Sequence, residues 1–273
     1  MKKSNRIVVI TGASQGIGLA AINLFRERGD SVYDISRTSG TDITDTTAVR
    51  EFFKKVHTEH GRIDVLINNA GFGISGSAEG TPPEAITKMF AVNFVGLANC
   101  VSSVLPYMRA ATSLRGGVAD EAIPTRTHNP IIINISSVAG VYALPFQSFY
   151  SASKSAVTGY TNALRTEIKP FKIGCCSVLL GDIKTNFTAA RQKTENDVEA
   201  YADAYNRAMQ RYETDESKGY KPEFVAHRLY KLSHKKNPKP VVTFGFLFKF
   251  LVFLGRIFPT RFMNWAIGKV YKQ

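Results

Sequence analysis

Cysteine is scarce in this sequence and histidine is not clustered, which excludes two classes of protein. The 273 residues include three cysteines, Cys100, Cys175 and Cys176, and five scattered histidines. Three thiols cannot build a disulfide framework, and no group of histidines and cysteines has the spacing of metal ligands. Cys175 and Cys176 lie in an apolar run that predicts a strand. We therefore interpret them as core residues of a metal-free protein in a reducing compartment.

Long uncharged hydrophobic runs are missing as well. Only four apolar residues, 7–10, follow the basic residues 1–6, and this is too short for the hydrophobic region of a signal peptide. A run rich in Phe and Leu at 244–258 carries Lys249 and Arg256, whereas a transmembrane helix needs about 20 apolar residues. These features predict a cytoplasmic protein, and association with the cytoplasmic side of a membrane is left open.

Acidic residues are nearly absent from one end of the chain. The formal net charge is +13, and residues 221–273 contain eleven lysines and arginines but a single acid, Glu223. The remainder of the chain is close to balanced. The basic character therefore belongs to the C-terminal segment, so a diffuse nucleic-acid surface is not predicted.

What is present is a regular alternation of apolar strands and amphipathic helices. The pattern predicts strands at 7–10, 31–35, 63–67, 131–135, 173–180 and 240–244, and helices at 16–28, 46–60, 82–109 and 149–169. This order is typical of an α/β protein. We predict a Rossmann-type, doubly wound parallel sheet of about six to seven strands with helices on both faces, followed by a C-terminal helical extension.

The organisation along the chain follows from these elements. Residues 1–240 are predicted to form one catalytic domain, with a substrate lid at about 186–219, and residues 241–273 a hydrophobic, basic extension. Residues 110–130 have no periodicity and contain a Gly-Gly pair and two prolines. They predict a long surface loop, which is either a lid or partner contact or a tolerated insertion.

A glycine-rich turn follows the first strand. Gly12, Gly16 and Gly18 lie between that strand and the next helix, where glycines allow a tight turn and a close approach of the backbone to a pyrophosphate. The spacing differs from the usual G-x-G-x-x-G. In its strand–turn–helix context, the turn still predicts a dinucleotide site.

A tyrosine and a lysine four residues apart supply the candidate chemistry. On a helix Tyr150 and Lys154 share one face. We expect the ammonium group to lower the pKa of the phenol, so that it can exchange a proton with an alcohol or carbonyl oxygen. Ser137 would add a hydroxyl donor to the same oxygen. Ser136 is the competing serine, and the alternative is that Ser137 only caps a strand and Tyr150 is a packed aromatic residue.

These motifs together resemble the short-chain dehydrogenase/reductases. The matches are the Thr11–Gly18 glycine turn, Asn68-Asn69-Ala70-Gly71, Asn93, Ser137, and Tyr150-x-x-x-Lys154, and they cover roughly residues 6–190. The resemblance implies that Tyr150 is the general acid or base, Lys154 tunes it and binds the nicotinamide ribose, Ser137 holds the carbonyl oxygen, and Asn93 orders a water. It further implies a set of cofactor-binding residues: Gly12, Ser14, Gln15, Gly16, Ile17, Gly18, Ser36, Arg37, Asp42, Ile43, Asn69, Ala70, Gly71, Tyr150, Lys154, Gly181, Ile183 and Thr185.

The choice between NADP(H) and NAD(H) depends on the end of the second strand. An acid there binds the ribose 2′-hydroxyl of NAD. Our alignment places Ser36 at this position, followed by Arg37, which suits a 2′-phosphate. We therefore favour NADP(H). A register shift of two residues would place Asp34 there and favour NAD(H) instead. The short interval from Arg37 to Asp42 also predicts that one peripheral helix, and most of an edge strand, is missing.

The C-terminal extension combines aromatic and basic residues. It could lie on anionic lipid, close the substrate pocket or pack in an oligomer. The sequence predicts an oxidoreductase that interconverts a ketone and a secondary alcohol with NADP(H), on a lipophilic substrate such as a steroid, retinoid or long-chain keto-lipid. The resemblance implies a homodimer or homotetramer. The alternatives are a non-catalytic dinucleotide sensor and a membrane-associated interaction protein on the same fold.

Overall fold

The core of the fold is a parallel sheet of six strands. The computed structural model describes residues 5–113, 129–185, 191–193 and 198–271. The strands of the sheet are β1 (Ile7–Thr11), β2 (Ser31–Ile35), β3 (Val65–Asn68), β5 (Ile131–Ser137), β6 (Gly174–Leu180) and β8 (Val241–Thr243), in the order β2-β1-β3-β5-β6-β8. The two-residue strands β4 (Ile74–Ser75) and β7 (Gln192–Lys193) pair separately. The predicted doubly wound parallel sheet is confirmed.

Helices cover both faces of the sheet. They are α1 (Gly16–Glu27), α2 (Thr46–His60), α3 (Pro83–Phe90), α4 (Leu97–Ser113), α5 (Ser148–Glu167), α6 (Ala202–Ser217), α7 (Pro222–Leu232), α8 (Phe246–Ile257) and α9 (Thr260–Val270). One apolar core packs α1 and α7 on the sheet, and a second packs α2, α4 and α5 on the opposite face. Adjacent Cys175 and Cys176 point into different cores because side chains alternate along a strand.

A π-helical segment joins α3 to α4. Ala91–Gly96 connects the two helices into one continuous helical segment and contains buried Asn93. Residues Pro83–Ala110 form the one helix, within the described residues, that is long and apolar enough to cross a membrane. Its residues Val101, Val104 and Met108 are fully buried against the sheet. Packing in the core therefore accounts for this apolar character.

The strand order creates a crevice between β1 and β3. The chain proceeds from β1 outward to β2 in one direction and from β3 toward β8 in the other. Ligands of such sheets bind at the carboxyl ends of the strands where the direction changes. The glycine turn after β1 and the Asn69–Gly71 segment after β3 both lie at this crevice.

The edge of the sheet at β2 is reduced, as the sequence predicts. The segment between β2 and α2 contains only a short 3₁₀ helix, Arg37–Ser39, and β2 has β1 as its single partner strand among the described residues. Most of the predicted surface loop at 110–130 lies outside the described residues. The same is true of 186–190 and 194–197 in the predicted lid.

Candidate active site

One cavity of about 1150 Å³ extends over the carboxyl ends of the strands. Its volume is at the upper end for small-molecule sites. The cavity begins at the glycine turn, passes Ser137, Tyr150 and Lys154, and ends beneath α8 and α9. It therefore has room for a dinucleotide and a second molecule end to end.

The glycine turn has the backbone geometry that the cavity requires. Gly12 has φ +66° and Gly16 has φ +56°, in the left-handed region that favours glycine. A Cβ on Gly12 would lie 2.8 Å from the Ala70 Cα, so the two turns could not approach each other. Gly18 does not line the cavity. A Cβ there would lie 2.7 Å from the Ala13 Cα, so its role is to let α1 pack closely under the turn.

Side chains from neighbouring strand ends hold the turn in place. The Thr11 hydroxyl accepts hydrogen bonds from the backbone N–H groups of Asn69 and Ala70, at 3.0 and 2.9 Å. The Asn69 amide donates to the carbonyl oxygens of Thr11 and Gly12, both at 3.1 Å. The two motifs therefore form one rigid unit. Such a cradle, with glycine at the helix N-terminus, fits the pyrophosphate of a dinucleotide.

Ser137 and Tyr150 meet on the cavity wall. Ser137 ends β5 and Tyr150 lies in the first turn of α5, and a hydrogen bond joins the Ser137 hydroxyl and the phenol. Desolvation raises the pKa of Tyr150 to about 12, although Ser137 and the charge of Arg191 lower it. The expectation that Lys154 makes this phenol more acidic is therefore wrong for this arrangement, since burial outweighs the lowering effects.

Lys154 is buried beside the tyrosine. Its Nζ lies 5.8 Å from the centre of the Tyr150 ring and donates to the Ile135 carbonyl oxygen at 3.1 Å. Burial lowers the pKa of Lys154 to about 8. Ser136, the competing serine, instead donates to the Lys154 carbonyl oxygen at 2.8 Å. It therefore serves to attach α5 to β5.

Asn93 lies behind the cavity wall. Its amide donates to the Phe72 carbonyl oxygen at 2.9 Å and accepts from the Phe72 N–H at 3.0 Å. A Cβ on Gly71 would lie 3.0 Å from Asn93 Oδ1 and 3.4 Å from Lys154 Nζ, which shows how near the two side chains are. Asn93 does not itself line the cavity. The π-helical turn brings it to this position, and such turns are frequent at functional sites.

The end of β2 contains the residues on which the predicted choice of cofactor depends. Asp34 faces the glycine turn, where its carboxylate accepts from the Ala13 N–H at 3.1 Å and from the Ser36 hydroxyl at 2.6 Å. Asp34 is not part of the cavity wall, whereas Ser36 and Arg37 are. The carboxylate is thus engaged in holding the turn.

The structure brings together almost every residue of the predicted site. Ser137 and all the predicted cofactor-binding residues except Gly18 line the cavity. Sequence reasoning missed a charged group on the far wall, which consists of Asp182, Arg191, Arg211, Asp215 and Glu216. Arg191 and Glu216 form a buried ion pair, and burial raises the pKa of Asp182 to about 6. No sequence signal marks these residues, because charged side chains are ordinary on the polar face of an amphipathic helix such as α6, and Asp182 and Arg191 join them only in the fold.

The two C-terminal helices close the cavity on its apolar side. We use the term C-terminal wall for the side chains of this segment that line the cavity: Leu247, Phe248, Leu251, Met263, Ala266, Ile267, Val270 and Tyr271. Phe248 packs over Gly181, and the Tyr142 hydroxyl donates to the Leu251 carbonyl oxygen. The substrate end of the cavity is therefore largely hydrocarbon, with the charged group to one side.

Comparison with known proteins identifies what this arrangement resembles. The family model for short chain dehydrogenases matches residues 36–196. A 3-ketodihydrosphingosine reductase of Bacteroides thetaiotaomicron is 39% identical over 245 residues, 85% of each chain. A protein of Helicobacter pylori, described as "Probable short-chain type dehydrogenase/reductase VdlC", is 32% identical over 93% of each chain. A solved short-chain dehydrogenase from Streptomyces avermitilis has the same fold, with a TM-score of 0.79 and 24% identity over 98% of each chain.

Proposed function

The chain belongs to the short-chain dehydrogenase family and is an NAD(P)-dependent oxidoreductase, and we propose that it reduces the ketone of a long-chain lipid with NADPH. The observation that carries this proposal is the shape of the cavity described above. It joins the glycine turn and the Ser137–Tyr150 pair to a hydrocarbon wall from α8 and α9.

The proposed chemistry divides the work among three side chains. A bound nicotinamide would supply the hydride. The Ser137 and Tyr150 hydroxyls would both donate to the substrate carbonyl oxygen, which stabilises the charge that develops there. Tyr150 would then deliver the proton. Its high pKa keeps it protonated at neutral pH, and this suits the acid role in reduction better than the base role in oxidation.

Lys154 and Asn93 act behind this pair in the proposal. The Lys154 ammonium would bind the ribose and stabilise the phenolate that remains after proton transfer. Asn93, held by both polar groups of Phe72, would order a water on the route from Lys154 to solvent. Both roles come from the family resemblance, and the positions of the two side chains around Gly71 are compatible with them.

The preference for NADPH rests on the end of β2. Arg37 and Ser36 line the cavity, and a guanidinium is well suited to a 2′-phosphate. Asp34, the acid that would favour NAD(H), is bonded to the glycine turn and to Ser36. The substitution Arg37→Ala should lower the ratio of turnover with NADPH to turnover with NADH at least tenfold. The control Arg62→Ala, outside the cavity, should leave this ratio unchanged. An unchanged ratio in Arg37→Ala would contradict the NADPH preference.

The substrate class follows from the two kinds of wall around the substrate end. 3-Ketodihydrosphingosine, which gives the Bacteroides relative its name, has an alkyl chain and a polar head with a protonated amine. The C-terminal wall fits an alkyl chain. Glu216 and Asp215 are paired with Arg191 and Arg211, so Asp182 is the carboxylate that would pair with an amine. Steroids and retinoids share the hydrocarbon requirement but lack the cation.

The decisive experiment measures NADPH oxidation with a set of carbonyl compounds. The set contains 3-ketodihydrosphingosine, a long-chain 3-keto lipid without the amine, a steroid ketone, the aldehyde retinal and a small sugar ketone. We expect the first compound to give the highest kcat/KM, and Tyr150→Phe to abolish turnover while NADPH binding persists. Turnover confined to the sugar would contradict the lipid assignment. Tight NADPH binding with no turnover of any compound would favour the dinucleotide sensor.

Oligomerisation is part of the proposal by family resemblance. The family typically forms oligomers, and we propose a homodimer or homotetramer through the outer faces of α4 and α5. Val95, which is 48% exposed just before α4, lies on this surface. Light scattering on the purified chain measures the mass, and a monomer at micromolar concentration would contradict the proposal.

A further inference from the structure

The outer surface of α8 is apolar and exposed. Phe246, Phe250, Phe253 and Ile257 follow each other at helical spacing and are 85, 50, 56 and 58% exposed. They therefore form one stripe along the helix. Scattered exposed hydrophobic residues are ordinary, but a contiguous stripe of this kind marks an interaction surface.

The stripe continues onto α9 without interruption. The ring of Phe262 lies 4.9 Å from the ring of Phe258 and 5.8 Å from that of Trp265, measured between centroids. All three side chains are at least 41% exposed. We refer to the exposed apolar side chains of both helices as the outer face: Phe246, Phe250, Phe253, Ile257, Phe258, Phe262 and Trp265.

Cations flank the outer face, and neither of its two helices contains an acid. Lys249 and Arg256 lie on one side of the stripe on α8, and Arg261 and Lys269 are exposed on α9. The sequence has no acidic residue after Glu223. A basic and aromatic surface with this arrangement is complementary to anionic lipid. A two-fold contact with a second copy would instead bring like charges together with no acid from either face to compensate them.

The same two helices also form the C-terminal wall of the cavity. Phe248 and Leu251 project inward from α8, and Met263 and Ile267 project inward from α9, while the outer face points away. The helix pair is therefore the only protein layer between the hydrocarbon end of the cavity and the outer face, within the residues that the structure describes.

We propose that the outer face docks on an anionic membrane surface and that the lipid substrate enters the cavity from the bilayer past α8 and α9. The argument for docking rests only on the exposure and charge of the outer face. The entry route rests on the proposed function, because it requires a lipid substrate. The described helices around the outer face would lie in the interface without crossing it, at 12 and 11 residues in length.

The single tryptophan of the chain makes docking directly measurable. Trp265 is 59% exposed on the outer face, so its emission should shift to the blue when the face enters lipid. The full chain would be mixed at low salt with vesicles of phosphatidylcholine and phosphatidylglycerol, and flotation measured in parallel. We expect both signals with the mixed vesicles and a large loss at high salt, since screening weakens surface charge.

Matched variants test which part of the surface acts. Phe250→Ser with Phe253→Ser should weaken binding at least tenfold, because each ring loses its burial in lipid. Lys249→Gln with Arg256→Gln should weaken it about 25-fold, at about fivefold for each cation. Leu19→Ser, exposed on α1, and Lys54→Gln with Lys55→Gln on α2 are the controls and should bind as the parent does.

Two results would overturn docking. One is unchanged Trp265 emission and no flotation at low salt. The other is a higher oligomer that Phe250→Ser with Phe253→Ser dissociates while vesicles remain unbound, which would assign the outer face to a second copy of the chain.

The entry route has its own readout. The Phe250/Phe253 variant should lose turnover of a long-chain ketone presented in vesicles but keep that of a water-soluble short-chain ketone. Equal losses on both would contradict entry from the bilayer while docking stands. If no ketone is turned over but the vesicles still bind, the proposed function fails and docking stands.

Discussion

The two walls of the active-site cavity are stabilised in different ways. On the sheet side, Ser137, Tyr150 and Lys154 are tied by hydrogen bonds to strand ends and to each other. On the other side, α8 and α9 rest on the fold through aromatic packing and the hydrogen bond from Tyr142. Hydrogen bonds are directional and fix the positions of the reacting groups on the first wall. Apolar packing is not directional, so the second wall suits an alkyl chain or a lipid surface.

A second contrast lies between two apolar helices. In α4, Cys100, Val104 and Met108 are fully buried, whereas Phe246 and Phe253 of α8 are more than half exposed. Hydropathy alone would assign both helices to the core or to a membrane. The distribution of exposed area shows that α4 belongs to the core and that α8 presents a surface.

The largest expected effect is the loss of turnover when the proposed proton donor on the sheet side of the cavity is removed. Tyr150→Phe removes the proton donor and should lower kcat by about 10²- to 10⁴-fold with NADPH affinity unchanged. Steady-state kinetics with fluorescence titration of NADPH measures both. Tyr107→Phe, on α4 outside the cavity, is the control. Full activity of Tyr150→Phe would remove the tyrosine from the mechanism.

Two glycine-to-alanine substitutions compare how the two sides of the cavity tolerate an added Cβ atom. Gly12→Ala meets the backbone of Ala70 at positive φ, so we expect a cost of about 1–3 kcal/mol in stability and at least tenfold weaker NADPH binding. Gly255→Ala in α8 meets only the Tyr142 side chain, which must turn aside and give up its hydrogen bond to the Leu251 carbonyl oxygen, at about 0.5–1.5 kcal/mol. Alanine in a helix is more favourable than glycine by about 1 kcal/mol and offsets this loss. Thermal unfolding should therefore change less for Gly255→Ala than for Gly12→Ala, and NADPH binding should be unchanged. Equal losses in both variants would remove the contrast.

The pH dependence of ketone reduction tests Lys154, the buried lysine on the sheet side of the cavity. The pKa of Lys154 is lowered to about 8, so its charge is present below that pH and is lost above it. If the ammonium binds the ribose, kcat/KM for ketone reduction should fall up to tenfold per pH unit above about pH 8. Lys154→Arg keeps a charge throughout and should flatten this limb at a lower overall rate. A parent profile flat to pH 10 would contradict the role.

The smallest effect concerns the attachment of the C-terminal wall. Tyr142→Phe removes the hydrogen bond to the Leu251 carbonyl oxygen, which is worth about 0.5–1.5 kcal/mol. We expect KM for a long-chain ketone to rise about two- to tenfold, with KM for NADPH unchanged. A rise in both values would show that Tyr142 supports the whole site rather than this wall.

Local patterns were sufficient to predict most of the sheet and the cofactor end of the cavity. The bounds predicted for β2 and α2 agree with the structure, because Gly and Asp punctuate both elements clearly. The positions of Gly12 and Ser137 in the site could be predicted because each follows or ends a predicted strand, and ligands of parallel sheets bind at the carboxyl ends of the strands. The pKa of Tyr150 could not be predicted, since it depends on burial in the fold and on the charges of Arg191 and Glu216, which are far away in the sequence.

By itself, the sequence determined the alternation of strands and helices, the order of the motifs and the concentration of basic residues near the C-terminus, since each of these is a property of neighbouring residues. Only the tertiary structure decided that Asp34 holds the glycine turn while Ser36 and Arg37 face the cavity. It likewise decided that α8 and α9 turn one side to the substrate end and the other outward. Both outcomes depend on which distant segments pack together, and the spacing of residues along the chain does not reveal this packing.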